Sequence, residues 1–167
     1  MKIALGSDKS GFELKEFIKG YLKENRIELE DLGTQSMDAG HPFFEVAPKV
    51  AAEIQSGRAE RGILICGTGM GMSQVANKYE GVLAACCESV YAARMCRAIN
   101  NSNVLCMGGW IIAKEMGLEM VKAFLSTEHT EGLEEWRRDF LKKGFAKVRK
   151  IDAGQHGGEG NPDEISR

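Results

Sequence analysis

The chain has 167 residues, the length of a single domain, and 43% of them are hydrophobic, as in globular proteins. The 22 basic and 24 acidic residues leave a net charge of -2, which gives no general electrostatic argument for binding nucleic acid. The N-terminal segment lacks the pattern of a secretory signal, and no apolar run reaches the roughly 18 residues of a membrane span. We therefore expect a cytoplasmic protein that neither binds nor crosses a membrane.

Cysteine and histidine usage argues against a disulfide framework and against a structural metal site. The cysteines are odd in number and lack framework spacing, no CxxC pair occurs, and the three histidines are scattered. We expect reduced thiols and no metal, with every cysteine except the first serving a structural role. The five cysteines are Cys66, Cys86, Cys87, Cys96 and Cys106.

Short apolar segments alternate with amphipathic ones, which predicts alternating strands and helices. In chain order, the predicted elements are strand 2–5, helix 12–22, strand 27–32, helix 42–56, strand 62–66, helix 72–79, strand 82–86, helix 90–99, strand 104–107, helix 111–125 and helix 133–148. This alternation predicts an α/β fold, a single-domain, doubly wound (Rossmann-like) sheet of about five parallel strands with helices on both faces.

Residues 1–150 are predicted to form the domain, because neither an internal repeat nor a linker interrupts them. Residues 151–167 are rich in glycine and acidic residues without periodicity, so we expect a flexible C-terminal tail. Ligands of doubly wound sheets bind at the carboxyl ends of the strands. That rule singles out Asp8, Cys66–Gly71, Glu88 and the pair Gly108–Gly109.

The most informative segment is the junction Cys66–Gly71, where a buried strand runs into three glycines at alternate positions. Glycine permits positive φ and close approach to a ligand, and a helix start offers unpaired N–H groups for a phosphate or a developing oxyanion. A thiol at a helix start ionises more readily than a free one, so Cys66 can act as a base or nucleophile. From these residues alone, a nucleotide loop, a tight turn and a merely buried thiol stay open, although no Walker sequence follows.

Other polar residues at predicted element ends have two interpretations each. Asp8 is either a helix N-cap or a ligand contact, and Lys9 is either solvated or an anion partner. The polar turn that begins at Asn100 reflects either turn chemistry or a binding role. Arg137 and Arg138 either grip an anion or form a solvated helix face.

Five motifs in a fixed order make the chain similar to a known family. They are residues 2–8 (KIALGSD), 31–34 (DLGT), 62–73 (GILICGTGMGMS), 76–78 (ANK) and 100–105 (NNSNVL). This pattern resembles the type B ribose-5-phosphate isomerases, which include the LacA and LacB galactose-6-phosphate isomerase subunits, over roughly residues 1–150. The resemblance implies interconversion of aldose and ketose phosphates through a cis-enediolate, without metal or cofactor, in oligomers whose active sites lie at the subunit interface.

The resemblance also implies a role for each matching residue. Cys66 would move the proton between C1 and C2, and Thr68 would contact the substrate near the reacting oxygens. Asp8 would bind sugar hydroxyls, and Asn100 would steady the enediolate. Main-chain amides would hold the enediolate oxygen as an oxyanion hole does. These amides belong to the segment formed by Gly67, Thr68, Gly69, Met70 and Gly71.

Several positions depart from the pattern of the family. Lys9 stands in place of a histidine, as in LacA-like chains, and Ile99 stands in place of the ring-opening histidine. Trp110 occupies a position that is usually positively charged. Of two arginines that usually grip phosphate, one position is Glu134 and the other is Arg138.

These departures leave two hypotheses about the substrate open. A four-carbon sugar phosphate cannot close a furanose and needs no ring-opening group, which fits Ile99. Alternatively, His41, a lone histidine for which a structural or solvated role is the simpler interpretation, takes over ring opening. Lys9, Arg137 and Arg138 are expected to compensate for the missing arginine.

The sequence therefore predicts an aldose–ketose isomerase for a small sugar phosphate, with a four-carbon or other acyclic sugar as one option. Two alternatives remain, an isomerase of a non-phosphorylated or acidic sugar and a non-catalytic partner subunit that binds a sugar phosphate. The presence of Cys66 and Thr68 favours catalysis, because a pure binding protein has no need of that thiol. We expect a homodimer or homotetramer that binds no nucleic acid.

Overall fold

In the computed structural model, which describes residues 1–157, one sheet contains five parallel strands in the order β2-β1-β3-β5-β4. The strands are β1 (Lys2–Ser7), β2 (Glu28–Asp31), β3 (Arg61–Cys66), β4 (Ala84–Cys86) and β5 (Val104–Gly108). Helices cover both faces of the sheet, so the predicted fold class is confirmed.

The helices follow the predicted order with shifted ends. They are α1 (Phe12–Glu24), α2 (Phe43–Gln55), α3 (Met70–Ala76), α4 (Val90–Ala98), α5 (Lys114–Ser126) and α6 (Glu135–Gln155), and a 3-10 turn (Lys9–Gly11) precedes α1. Within residues 1–157, none of the helices combines the length and apolar character that crossing a membrane requires.

Alternate residues of the central strands point to opposite faces and build two cores. Ile63 and Ile65 of β3 pack with α1, α4 and α5, whereas Leu64 and Cys66 pack with α2 and α3. Each fully buried Ile or Leu side chain contributes about 1.5–3 kcal/mol to folding. This alternation fixes the face on which the Cys66 side chain lies.

Strand β4 is shorter and more exposed than the predicted buried strand 82–86. Its two alanines are half-buried, and the Cys86 thiol is exposed. The reason is its place in the sheet, because β4 pairs only with β5 and forms an edge. Apolar composition alone does not distinguish an edge strand from a central one.

Helix α6 is longer than predicted and lies against the amino-end edge of the sheet. It continues to Gln155, through the domain boundary predicted at residue 150. Near the end of α6, the Asp152 carboxylate accepts a hydrogen bond of 2.7 Å from the Gly81 amide, three residues before β4 begins. This long-range contact explains the extension, and the predicted tail segment 158–167 lies outside the described residues.

Lys15 of α1 is fully buried, a rare position for lysine unless it is paired. Its Nζ lies 2.6 Å from Asp31 Oδ2 and 2.7 Å from the Thr34 carbonyl oxygen, and Lys19 Nζ lies 2.8 Å from the same carboxylate oxygen. Burial raises the pKa of the Asp31 carboxyl group, but hydrogen bonds from Lys15 and Lys19 outweigh burial and hold the pKa below its usual value. The network ties α1 to the loop that follows β2.

We predict that Lys15→Met lowers the free energy of unfolding by about 2 kcal/mol at pH 7. This loss is smaller than that expected when a buried carboxylate loses its only partner, because Lys19 still pairs with Asp31. Asp31 stabilises the fold above its unfolded pKa of about 3.9, and this contribution disappears as pH falls through the lower folded pKa. The difference between the two proteins should therefore shrink below about pH 4.

Urea unfolding at several pH values measures this difference. The control is Lys122→Met, which removes an exposed ion pair with Glu119 and should change stability by less than about 1 kcal/mol. Equal losses in the two variants would contradict a stabilising buried network.

Candidate active site

Cys66 is the last residue of β3 and its side chain is only 5% exposed. Its Sγ accepts a hydrogen bond of 3.1 Å from the Gly69 amide. Gly69 has a φ of +79°, and a methyl group there would lie 2.9 Å from the Met107 carbonyl carbon. Only glycine fits this close, left-handed turn, which directs an N–H group at the sulfur.

The helix after this turn is shorter than predicted. Helix α3 has seven residues and ends at Ala76 rather than near residue 79. So short a helix has a small dipole, and the donors near the sulfur are local amides of the loop and the first turn. The Thr68 hydroxyl accepts a weak hydrogen bond of 3.4 Å from the Met70 amide, so it remains beside these donors.

Asp8 lies beside the end of β3 and caps the 3-10 turn. Its amide donates to the Ile65 carbonyl oxygen at 3.2 Å, and its carboxylate accepts from the Gly11 amide at 3.1 Å. Burial raises the pKa of the Asp8 carboxyl group, and hydrogen bonds from the Gly11 and Ser10 amides oppose that rise. The N-cap interpretation is therefore correct, and it places the carboxylate one strand from the Cys66 thiol.

Lys9 and His41 reach the same edge from neighbouring loops. The aliphatic stem of Lys9 packs directly on Gly40, in the space that a side chain there would occupy. The His41 amide donates to the Thr34 hydroxyl at 3.1 Å, and its ring Nδ1 lies 3.4 Å from Glu45 Oε2. The His41 side chain is half-exposed, so it is available at the rim of the site.

Trp110 forms one wall of the site, a contact that the sequence analysis did not identify. Its amide donates to the Gly67 carbonyl oxygen at 3.1 Å, and a methyl group at Gly67 would lie 2.7 Å from two indole carbons. The indole is nevertheless 74% exposed. The pair Gly108–Gly109 at the end of β5 indicates the position of Trp110, because a residue that directly follows a strand end lies at the carboxyl edge of the sheet.

A cleft of about 470 Å³ lies in front of this wall at the carboxyl edge. Polar and apolar side chains share its surface. It is lined by Lys9, Ser10, Glu13, Leu14, Met37, Gly109, Trp110, Ile112 and Lys114.

Three predicted site residues lie at the opposite edge of the sheet. Asn100 precedes β5, and it borders a second cavity of about 480 Å³ together with α6. Arg137 and Arg138 occupy the first turn of α6. In the loop before this helix, the Thr130 amide donates a hydrogen bond of 2.8 Å to the Ala98 carbonyl oxygen, which holds the loop at this edge. The length of β5, roughly 15 Å, separates this edge from the thiol.

The structure thus brings together nine of the twelve predicted site residues. They are Asp8, Lys9, His41, Cys66, Gly67, Thr68, Gly69, Met70 and Gly71.

The polar turn around Asn100 is held by its neighbours. Arg97 is 2% exposed, and its guanidinium donates to Asn101 Oδ1 at 2.9 Å and to the Ser102 carbonyl oxygen at 2.7 Å. Asn103 Oδ1 accepts a hydrogen bond of 2.8 Å from the Leu83 amide. Turn chemistry therefore accounts for Asn101, Ser102 and Asn103, and it leaves the Asn100 side chain at the cavity.

The described residues contain no group of three or more His, Cys, Asp or Glu side chains that could hold a metal ion. The chemistry of the carboxyl-edge site is that of a thiol, a carboxylate, a hydroxyl and main-chain donors. Such a set can accept and return a proton beside a stabilised oxyanion.

Comparison with known proteins agrees with this chemistry. Residues 3–141 match the family described as Ribose/Galactose Isomerase. A 4-deoxy-4-sulfo-D-erythrose isomerase from Clostridium sp. (strain MSTE9) is 60% identical over 152 residues, which cover 91% of this chain and 96% of that relative. A D-erythrulose-4-phosphate isomerase from Pectobacterium atrosepticum is 36% identical over 132 residues, which cover 79% of this chain and 87% of that relative.

Solved structures are similar along nearly the whole described chain. The ribose-5-phosphate isomerase B of Clostridium thermocellum has a TM-score of 0.83 at 35% identity, covering 92% of this chain and 99% of that one. The fold, the thiol site and these relatives together identify the chain as a member of the ribose/galactose isomerase family and as an aldose–ketose sugar isomerase.

Proposed function

We propose that this isomerase acts on an acyclic four-carbon sugar with an anionic group at C4, and that 4-deoxy-4-sulfo-D-erythrose and its ketose form the substrate pair. The observation that carries the proposal is the Cys66 sulfur, which lies 3.1 Å from a main-chain donor at the carboxyl edge of the sheet. The 60% identity to an isomerase named for that sulfosugar supports this choice of substrate.

In the proposed mechanism, the Cys66 thiolate removes the C2 proton of the aldose, and the electron pair moves to the carbonyl oxygen. In the resulting cis-enediolate the O2 proton passes to O1, and Cys66 returns its proton to C1 as the C2 carbonyl forms, which yields the ketose. A single base serves both carbons because they are adjacent and bear the transferred proton on one face. The reverse reaction uses the same steps.

The residues around Cys66 suit the developing charge. Amides of the loop Gly67–Gly71 are main-chain donors that need no reorganisation when an oxyanion forms. The Thr68 hydroxyl, which accepts from the Met70 amide, is free to donate its own proton to a substrate oxygen. Asp8 is positioned to accept hydrogen bonds from sugar hydroxyls.

Ile99 favours an acyclic substrate. A sugar whose C4 carries a sulfonate has no C4 hydroxyl, so it cannot close a furanose and requires no ring-opening acid. The alternative, ring opening by His41, has less support because the imidazole already lies beside Glu45 on the outer rim. An aldopentose phosphate, which exists mainly as a ring, is therefore expected to be a poor substrate.

The charges at the start of α6 favour a singly charged anion. Glu134 and Glu135 balance Arg137 and Arg138 in this turn. A sulfonate carries one negative charge, whereas a phosphate ester carries close to two at pH 7. D-erythrulose 4-phosphate is the second candidate, because a 36% identical relative is named for it.

We infer that a second copy of the chain completes the site, as a homodimer or as the dimer unit of a homotetramer. Asn100 and Arg138 lie too far from Cys66 within one chain, and an equivalent chain can present them to it. Helix α6 has no buried residue within its own chain, and Trp136 and Phe140 are 71% and 67% exposed. An apolar helix face of this kind is typical of a surface that another subunit covers.

We also infer that the protein works in the cytoplasm. The five cysteines are unpaired, and the proposed base is functional only as a reduced thiol. A reducing compartment preserves that state.

We predict that Cys66→Ala lowers turnover by about 10²–10⁴-fold, the usual contribution of a general base. The measurement is deuterium incorporation at C1 or C2 in D2O, with 4-deoxy-4-sulfo-D-erythrulose, D-erythrulose 4-phosphate and ribose 5-phosphate compared on the purified chain. We expect turnover by the unmodified protein to be fastest with the sulfosugar, slower with D-erythrulose 4-phosphate and slowest with ribose 5-phosphate.

The matched control is Cys86→Ala, which removes an exposed thiol at the same edge of the sheet. This thiol donates only a long hydrogen bond of 3.6 Å to the Thr68 carbonyl oxygen, so the variant should keep most activity. Near-normal turnover by Cys66→Ala would exclude this thiol as the base. Absence of turnover by the unmodified chain with every sugar would instead support a non-catalytic partner subunit.

We predict that Gly69→Ala abolishes most activity, whereas Gly81→Ala does not. Both glycines have positive φ, +79° and +76°, so each alanine costs about 1–2 kcal/mol of backbone strain. At Gly69 the methyl group also meets the Met107 backbone and displaces the donor from Cys66, whereas at Gly81 the space is open. Thermal unfolding and turnover are measured on both variants, and parallel losses of activity would contradict an active-site role for this turn.

We predict that Cys66→Ala and Asn100→Ala subunits, each nearly inactive alone, regain activity when they are unfolded together and refolded as a mixture. Half of randomly formed dimers contain one of each subunit and one intact site, so about a quarter of normal activity should return. If both residues act within one chain, the mixture should stay as inactive as its components.

A further inference from the structure

We propose that Trp110 determines specificity by packing against the C3–C4 end of the substrate and favouring a singly charged sulfonate over a doubly charged phosphate ester. The inference rests on the proposed function and assigns its selectivity to one side chain. The surface has one unusual feature, a large aromatic ring that is 74% exposed in the wall of the cleft at the carboxyl edge.

The indole is fixed although it is exposed. The Gly109 and Trp110 amides donate to the Cys66 and Gly67 carbonyl oxygens at 2.7 Å and 3.1 Å, which join this turn to the catalytic loop. The ring lies flat enough on Gly67 that three of its carbons would be within 2.8 Å of an added methyl group. A ring held in this way presents its free face to the cleft, beside the loop that follows Cys66.

The charges in the cleft match one negative charge. Lys9 and Lys114 oppose Glu13, so the lining carries a net charge of +1. Lys114 is engaged with Glu13 at 3.4 Å, whereas within residues 1–157 Lys9 has no ion-pair partner. Within one chain, a single available ammonium group beside an apolar ring suits a monoanion better than a dianion, whose second charge would lose water without a partner. The first turn of α6 that a second copy would present adds no net positive charge, because Glu134 and Glu135 balance its two arginines.

The shape of the wall also favours a sulfonate. In a 4-deoxy-4-sulfo sugar, the C4 methylene is bonded directly to sulfur, so an apolar CH2 group can lie on the indole face. A phosphate ester places a polar oxygen at that position and extends the anion by one bond. Trp110 therefore discriminates by polarity, by charge and by length.

The test compares kcat/KM for 4-deoxy-4-sulfo-D-erythrulose and D-erythrulose 4-phosphate in three variants. Trp110→Lys should shift the ratio at least tenfold toward the phosphate, and Trp110→Ala should lower the sulfonate value by about tenfold, which is within the range of pocket contacts. Trp110→Phe keeps an aromatic face and should change the ratio less than about threefold.

The matched control is Ile111→Lys, which adds the same charge one residue away at an exposed position that does not line the cleft. Its ratio should stay as in the unmodified protein. If Trp110→Lys and Trp110→Ala reduce both values in parallel and leave the ratio unchanged, Trp110 only supports the loop and the proposal is overturned.

A binding measurement separates this proposal from the proposed function. The chain contains two tryptophans, so Trp136→Phe leaves Trp110 as its single tryptophan. Sulfoacetate should quench or shift its emission with saturation at a lower concentration than phosphoglycolate does at pH 7.5. Such a response without turnover of either sugar would overturn the proposed function and keep Trp110 as a contact of the anionic end. If sulfoacetate and phosphoglycolate give equal responses, or neither gives one, the proposed role of Trp110 is overturned.

Discussion

The active site depends on one close contact, the hydrogen bond from the Gly69 amide to the Cys66 sulfur. It exists because three chain segments approach the end of β3 more closely than side chains allow. A methyl group at Gly11 would collide with the Ile65 carbonyl oxygen, and one at Gly108 would lie 2.9 Å from the Gly67 carbonyl oxygen. Small residues at these points let the sulfur stay almost buried while the main-chain donors and the Trp110 wall lie around it. Local donors held in this way are what a developing oxyanion requires.

The parallel sheet that builds this edge also divides the predicted site. All strands end on the same side, so residues that follow strands meet there, whereas residues that precede strands, such as Asn100, are sent to the other side. Helix α6 is held on that other side by Asp152 and by His156, whose ring lies 3.0 Å from the Lys78 carbonyl oxygen. A chain with this topology cannot unite the two sets by itself, and the proposed second copy, packed on the exposed Trp136 and Phe140 of α6, would do so.

The sequence predicts the parts of this arrangement that depend on local pattern. The apolar run before Cys66 and the glycines after it indicate a buried strand and a tight turn, and the rule of carboxyl ends brings Asp8 to the same place. Other features depend on contacts distant in sequence. Nothing near Lys15 indicates that it is buried against Asp31, and nothing near residue 150 indicates the bond that extends α6. The exposed face of Trp110 is likewise set by the packing of its ring on Gly67, forty-three positions earlier.

Two departures from the family pattern lie at opposite edges of the sheet, and the proposed substrate would account for both. At the amino edge, Ile99 offers no proton for ring opening, and at the carboxyl edge Trp110 offers no positive charge. A sulfonate bonded directly to C4 removes the hydroxyl that would close a furanose, and it also replaces two negative charges with one. The same carbon–sulfur bond therefore makes a ring-opening histidine unnecessary and an apolar wall favourable. A substrate that was acyclic but phosphorylated would explain Ile99 and leave Trp110 unexplained, so the ratio of activities on the two four-carbon anions distinguishes the chemistry of the site more sharply than activity on either one.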